Sequence, residues 1–250
     1  MSLKVTHLAY QERLQKVSFA AQPGELVGIL GANGAGKSTL LQLLCGLLKP
    51  TAGAVTFAGS EISQMSALAQ RQLLGYLPQA PHAEAAISVE HFLRAGMVNL
   101  QLRSPESELQ RVVQTLRIET LLARGVHQLS GGEQRRVHIA RALLGDQPWL
   151  ICDEPTASLD LYYQLQVMEI LREQAGQGKL VTVAMHDLGL AARYCDRLLL
   201  LDGGELLAQG APAAVLSDAN LAQAYKIKAR WLCTEDGVTL LPSLLTDAES

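Results

Sequence analysis

Gly31-Ala32-Asn33-Gly34-Ala35-Gly36-Lys37-Ser38 has the residue types and the spacing of a phosphate cradle, G-x-x-x-x-G-K-[ST]. Glycines let a loop backbone close around an anion and point its N–H groups inward. Lys37 is spaced to reach the β- and γ-phosphates of a nucleotide. The Ser38 hydroxyl is spaced to ligate Mg²⁺, with Thr39 directly behind it. A second chemical candidate is Asp153-Glu154, two carboxylates at the end of the apolar run Trp149-Leu150-Ile151-Cys152. Successive residues of a strand point to opposite faces. Asp153 can therefore face a metal while Glu154 reaches an attacking water as general base. A third is Leu129-Ser130-Gly131-Gly132-Glu133, just before the helical run Gln134 to Leu144. Ser130 and Glu133 have the spacing of a capping box. Gly131 and Gly132 weaken a helix and so are not needed for a cap alone. They suit backbone N–H groups that approach phosphate closely.

Positioning these groups requires alternating strands and helices. Glu25–Leu30 reads as a buried strand leading into the loop, and Ser38–Leu44 as the helix leaving it. Further strands are expected at Ala54–Phe57, Leu73–Pro78, Trp149–Cys152, Leu180–Met185 and Arg197–Leu201, with a helix over 161–175. From about Ser88 to Leu144 the pattern turns helical. Ser88 opens one helix, and Ser104 with Pro105 caps and starts another. The expected fold class is α/β, with a largely parallel sheet, an antiparallel β part near the N-terminus and an inserted α-helical subdomain.

The composition bounds the partners. The chain has 250 residues, 48% of them apolar, and a net charge of −3 from 24 acidic and 21 basic residues. No basic face for nucleic acid is indicated. Met1–Thr6 reads as the start of a strand rather than as a signal peptide, and the longest apolar run, Leu40 to Leu48, is too short to span a bilayer. The four cysteines form no C-x-x-C pair, and Cys45 and Cys152 read as small buried hydrophobes, as in a reducing compartment. The six histidines form no spaced metal cluster.

The loop, Leu-Ser-Gly-Gly-Glu and the Asp-Glu strand, in this order, resemble the ATP-binding subunits of ABC transporters, from about residue 3 to residue 220. The resemblance implies a P-loop NTPase core at about 1–80 and 146–220, a helical subdomain at about 81–145 and a short tail at 221–250. It implies ATP and Mg²⁺ as cofactors. Gln79 matches the glutamine that senses Mg²⁺ and the attacking water. His186 matches the histidine that contacts the γ-phosphate. Ser158-Leu159-Asp160 matches the loop that communicates across a dimer, and Tyr10 the aromatic that stacks on adenine. The signature ends in Glu133, where many members have Gln.

By the same resemblance, two copies sandwich two ATP, and Ser130, Gly131 and Gly132 of one copy cap the γ-phosphate held by the other. The region 79–100, including Ala83-Glu84-Ala85-Ala86, would meet integral membrane permease subunits at the cytoplasmic face of the inner or plasma membrane. A periplasmic or extracellular binding protein would join the system indirectly. With no fused membrane helices and no long C-terminal domain, an importer of the iron–siderophore, haem or cobalamin class is expected. A hairpin at Trp231–Cys233 and Gly237–Pro242 inclines the reading to cobalamin; zinc or manganese importers are the other candidates. A soluble ATPase of the same family, as in iron–sulfur cluster assembly, is the alternative. A small-molecule P-loop kinase fits less well, since the signature precedes a helix and no arginine-rich lid is present.

Overall fold

The computed structural model describes residues 2–79, 86–98, 100–234 and 237–245. The strands are β1 (Leu3–Tyr10), β2 (Leu14–Ala21), β3 (Leu26–Leu30), β4 (Ala52–Phe57), β5 (Ser60–Glu61), β6 (Leu74–Leu77), β7 (Trp149–Asp153), β8 (Leu180–Ala184), β9 (Arg197–Asp202), β10 (Glu205–Gly210), β11 (Ile227–Thr234) and β12 (Gly237–Leu244). The helices are α1 (Lys37–Leu44), α2 (Ala67–Leu73), α3 (Val89–Met97), α4 (Pro105–Leu116), α5 (Gly131–Ala142), α6 (Leu161–Gly176), α7 (Leu188–Tyr194), α8 (Pro212–Val215) and α9 (Asp218–Tyr225).

Strands β3, β7 and β8 are buried along their whole length. Such strands read as continuous apolar runs because both faces are covered. Alternate residues of these three strands and of β9 feed two cores. Leu26, Leu30, Leu150, Cys152, Val181, Val183, Leu198 and Leu200 join one cluster with the helices α3 to α7. Val27, Ile29, Trp149, Ile151, Leu180, Ala184, Leu199 and Leu201 join the other, with α1 and the antiparallel strands β1, β2 and β4. The pleat thus divides a single apolar run between two layers.

The central sheet has the order β10-β9-β3-β8-β7-β6. All its pairings are parallel except β10 with β9. A second sheet, β2-β1-β4-β5, is antiparallel. The expected α/β class with an N-terminal antiparallel part is therefore observed. Trp149 joins the two sheets: its ring lies 4.9 Å from that of Phe57. Its indole donates to Thr182 Oγ1 at 3.0 Å, so a fully buried polar group is satisfied inside the core.

Element ends differ from the sequence reading in a few places. Helix α5 starts at Gly131 rather than Gln134, so both signature glycines lie in its first turn. Ser104 is the N-cap residue of α4 and Pro105 its first residue, as expected, but the Ser104 hydroxyl makes no capping bond and lies 2.9 Å from that of Ser107 instead. Ser88 does cap α3, accepting from His91 N at 3.3 Å. The tail hairpin is longer at both ends than expected. The segment Ala83-Glu84-Ala85 lies outside the described residues. Cys45, Cys152 and Cys195 are buried and Cys233 is exposed, and all are free thiols. No helix among the described residues is long and apolar enough to cross a membrane.

Replacing Thr182 by Val keeps the shape but removes the indole's acceptor. The expected loss is about 1–3 kcal/mol, the cost of a buried unpartnered donor. It would be read as a lower urea midpoint at unchanged slope.

Candidate functional site

In an open parallel sheet, ligands bind beyond the carboxyl ends of the strands, where strand order reverses. Here β3 sits between β9 and β8, and the loop that follows it is Gly31–Gly36. The other candidates follow neighbouring strands on the same edge: Gln79 after β6, Asp153 and Glu154 at the end of β7, His186 after β8. The parallel registers align these ends. Leu77 pairs with Cys152, and Cys152 with Val183.

The loop geometry explains its residues. Gly31 has φ +150°, and a Cβ there would lie 2.5 Å from Leu201 O. Gly36, the residue before α1, has φ +100°, and a Cβ would come within 3.0 Å of Arg13 O. The Lys37 side chain folds back into the loop, donating to Gly31 O at 2.7 Å and Ala32 O at 3.2 Å. Burial draws its ammonium below the usual pKa, against the opposing pull of Glu154 and Asp153. A cleft of about 290 Å³ lies over the loop, lined by Asn33, Gly34, Ala35, Gly36, Lys37, Ser38, Thr39, Gln79, Glu154 and Arg13.

Asp153 is 1% exposed, and burial pushes its carboxyl up from the usual range while the Ser38 hydroxyl bonded to it pulls the other way. Its Oδ1 has no hydrogen-bond partner. A buried, unpartnered carboxylate oxygen beside a hydroxyl, at the foot of a phosphate loop, is the donor set a hard divalent cation takes. Glu154 has φ +51°, in the left-handed region. Its N–H donates to Ala184 O at 3.0 Å, and its Oε1 lies 2.5 Å from His186 Nε2. Sequence resemblance put His186 at the γ-phosphate; here it is held against Glu154, which itself lines the cleft.

Other candidates stand apart from the cleft. Tyr10 is half-buried, packs on the core shared by α1 and the antiparallel strands, and does not line the cleft. Asp160 caps α6, accepting from Tyr163 N at 3.0 Å. Ser130 and Glu133 form the complete capping box: Glu133 N donates to Ser130 Oγ at 3.3 Å and Ser130 N to Glu133 Oε2 at 2.8 Å. Ser130, Gly131 and Gly132 do not line the cleft either. A Cβ on Gly131 would meet nothing within 4 Å, and one on Gly132 only ordinary contacts. Nothing among the described residues requires glycine at these positions.

Two residues of the site had no signal in the sequence reading. Arg13 reaches the cleft from the turn between β1 and β2, in the other sheet. Tyr225, the last residue of α9, accepts from Gly31 N at 2.7 Å through its hydroxyl. Burial pushes that phenol up to about 12, so it stays neutral.

Residues 14–157 match the family described as ABC transporter. The chain belongs to the ABC transporter family. It is similar to the hemin import ATP-binding protein HmuV of Rhodopseudomonas palustris, 40% identical over 227 residues, which are 86% of this chain and 85% of the relative. It is also similar to the cobalamin import ATP-binding protein BtuD of Halobacterium salinarum, 37% identical over 234 residues, 90% of this chain and 59% of that one. In fold it is like a chain from an inward-facing structure described as of the metal-chelate ABC transporter type. That match has a TM-score of 0.82 at 24% identity and covers 99% and 98% of the two chains. A dimeric ATP-binding cassette in a post-hydrolysis state with ADP and Pi matches with a TM-score of 0.75 at 26% identity, over 84% and 99%. The protein is thus an ATPase of this family, built on the P-loop NTPase fold.

Replacing Tyr225 by Phe leaves the first N–H of the phosphate loop without its acceptor. A stability loss of about 1–3 kcal/mol is expected, together with a raised Kd for ATP. Calorimetric titration and urea unfolding of the same variant measure both.

Proposed function

We propose that this ATPase is the nucleotide-binding subunit of an importer for a metal chelate such as haem, cobalamin or an iron–siderophore complex. The observation that carries the chemistry is the convergence of Lys37, Ser38, Gln79 and Glu154 on one cleft at the carboxyl edge of the sheet. The importer reading is supported by the hemin and cobalamin import relatives.

In this reading, the loop N–H groups and Lys37 hold the β- and γ-phosphates, with Lys37 exchanging its bonds to Gly31 O and Ala32 O for phosphate oxygens. Ser38, Asp153 and Gln79 would hold Mg²⁺, which would supply positive charge against the phosphates. Glu154 takes the proton of the attacking water. His186, bonded to Glu154, orients that carboxylate and would contact the γ-phosphate. Ser130, Gly131 and Gly132 cap the γ-phosphate of a second copy. Their bare first turn supports this, since among the described residues nothing fills the space a side chain on these glycines would take. Asp160 lies at the dimer contact. Binding of ATP between two copies favours the closed pair, and hydrolysis releases it.

A groove of about 410 Å³ opens beside the Gln79 segment, bordered by Arg71, Tyr76, Leu77, Pro78, Gly96 and Arg141. We assign it to the integral membrane subunits, which would hold the protein at the cytoplasmic face and connect it to a solute-binding protein on the far side. The soluble alternative in iron–sulfur cluster assembly uses the same chemistry with soluble partners.

Lys37→Ala is expected to weaken ATP binding strongly; undiminished binding by calorimetry would sink the loop assignment. Glu154→Gln is expected to keep ATP binding and lose turnover by about 10²–10⁴-fold, the usual worth of a general base. Phosphate release at the wild-type rate would remove Glu154 from that role. Affinity capture of the tagged chain from gently solubilised membranes tests the importer reading. A polytopic membrane protein is expected, and soluble partners alone would overturn it.

A further inference from the structure

Arg135 lies on α5, three residues after Gly132, and is 4% exposed. Among the described residues its guanidinium makes no hydrogen bond to a carboxylate. Nε donates to Pro155 O at 3.3 Å, Nη1 to Pro78 O at 2.8 Å and Gln79 O at 3.1 Å, and Nη2 to Asp153 O at 2.6 Å and Glu154 O at 2.5 Å. A guanidinium has five N–H donors in a rigid fork, and here each has its own backbone acceptor. The acceptors have a common origin. The parallel ladder of β6 and β7 stops at the pair Leu77–Cys152, so the carbonyls beyond it have lost their strand partners. A buried carbonyl left without a donor is costly. One side chain donates to all five, sharing Glu154 O with Ala157 N, and bridges the Gln79 segment to the backbone of both carboxylate residues.

Glu154 needs such support. Its φ of +51° is uncommon for a residue with a side chain and persists only where surroundings over-determine it. Its N–H is fixed by Ala184 O and its carbonyl by Arg135 and by Ala157 N at 3.1 Å. We propose that Arg135 is a positioning residue for hydrolysis: it fixes the Asp153-Glu154 backbone against the Gln79 segment and ties both to the signature helix. The proposal rests on the ATPase chemistry assigned above to Glu154. Displacement of Gln79 by a docked partner would, through this guanidinium, be felt by Glu154 and by α5 together.

The test compares Arg135→Lys and Arg135→Gln in the full chain. Lysine keeps the charge but has three donors in place of five. ATP Kd is expected to stay within about threefold, as for an interaction that matters to the transition state more than to the ground state. The single-turnover hydrolysis rate is expected to fall about 10²-fold in Arg135→Gln, the scale of a small misplacement of a reacting group, and less in Arg135→Lys. A rate within twofold of wild type in a folded variant overturns the proposal. So does a parallel loss of binding and rate with early unfolding in both variants, which marks a merely structural residue. Hydrogen exchange at the Glu154 and Ala157 amides gives a readout independent of turnover. Faster exchange there in Arg135→Gln, with the Lys37 helix unchanged, is expected, and unchanged exchange overturns the proposal. If the unsubstituted chain shows no hydrolysis, the assignment of Glu154 fails by itself, and the exchange experiment still decides on Arg135.

Discussion

Everything at the site depends on the parallel ladder that runs from β6 through β7, β8 and β3 to β9. A parallel sheet ends all its strands on one edge, and its last carbonyls and N–H groups lose their partners there together. That edge must be completed by something other than strand. In this protein it is completed by backbone bonds such as Met185 N to Ile29 O, by the Lys37 ammonium on Gly31 O and Ala32 O, and by the Arg135 guanidinium beyond β6 and β7. The same requirement that terminates the sheet therefore concentrates polar groups where a nucleotide can reach them. The ladder in turn holds because its residues are apolar on both sides and divide between two cores.

The charges are arranged to use this low-dielectric edge. Two cations, Lys37 and Arg135, are both buried, yet neither pairs directly with a carboxylate; each is bonded to carbonyl oxygens. Asp153 and Glu154 lie close enough to raise the pKa of both cations against the burial that lowers it. A tight ion pair between Lys37 and either acid would neutralise both groups and spend their fields on each other. Bonds to carbonyls satisfy the cations' donors and leave the carboxylates' fields for the cleft. Asp153 keeps one oxygen without a partner as a result.

The fold was legible in the sequence wherever periodicity decided it. Fully apolar runs gave the central strands, and the switch to a 3.6-residue pattern gave the helices between Ser88 and Ala142. The capping box at Ser130 and Glu133 was legible because it is a contact between near neighbours. Ser104 was legible as the residue before α4, with Pro105 opening the helix, but not the partner of its hydroxyl, which turns to Ser107 rather than to the helix backbone. The site was legible only as far as motif spacing extends. Arg13 and Tyr225 come to the loop from a different sheet and from the last helix, at sequence separations that no local pattern spans. Arg135 was hidden among polar neighbours. Its only trace is that it shares a helix face with His138, Ile139 and Ala142, all of them buried, while Arg136 next to it is not.

The arrangement of glycines separates what one chain accomplishes from what it leaves open. Gly31 and Gly36 are demanded from within: a side chain at either would meet Leu201 or Arg13 backbone. Gly131 and Gly132 face no such neighbour, have helical backbone, and occupy a turn where alanine would stabilise the helix. The stability given up at the start of α5 has no return among the described residues of this chain. A return exists if a second molecule brings its nucleotide against that turn, because only a bare helix start lets phosphate oxygens approach its N–H groups closely. The capping box then has a second effect. By holding Ser130 and Glu133 to each other, it keeps the first turn of α5 rigid and its N–H groups aimed outward before any partner arrives, so less ordering remains for the encounter itself.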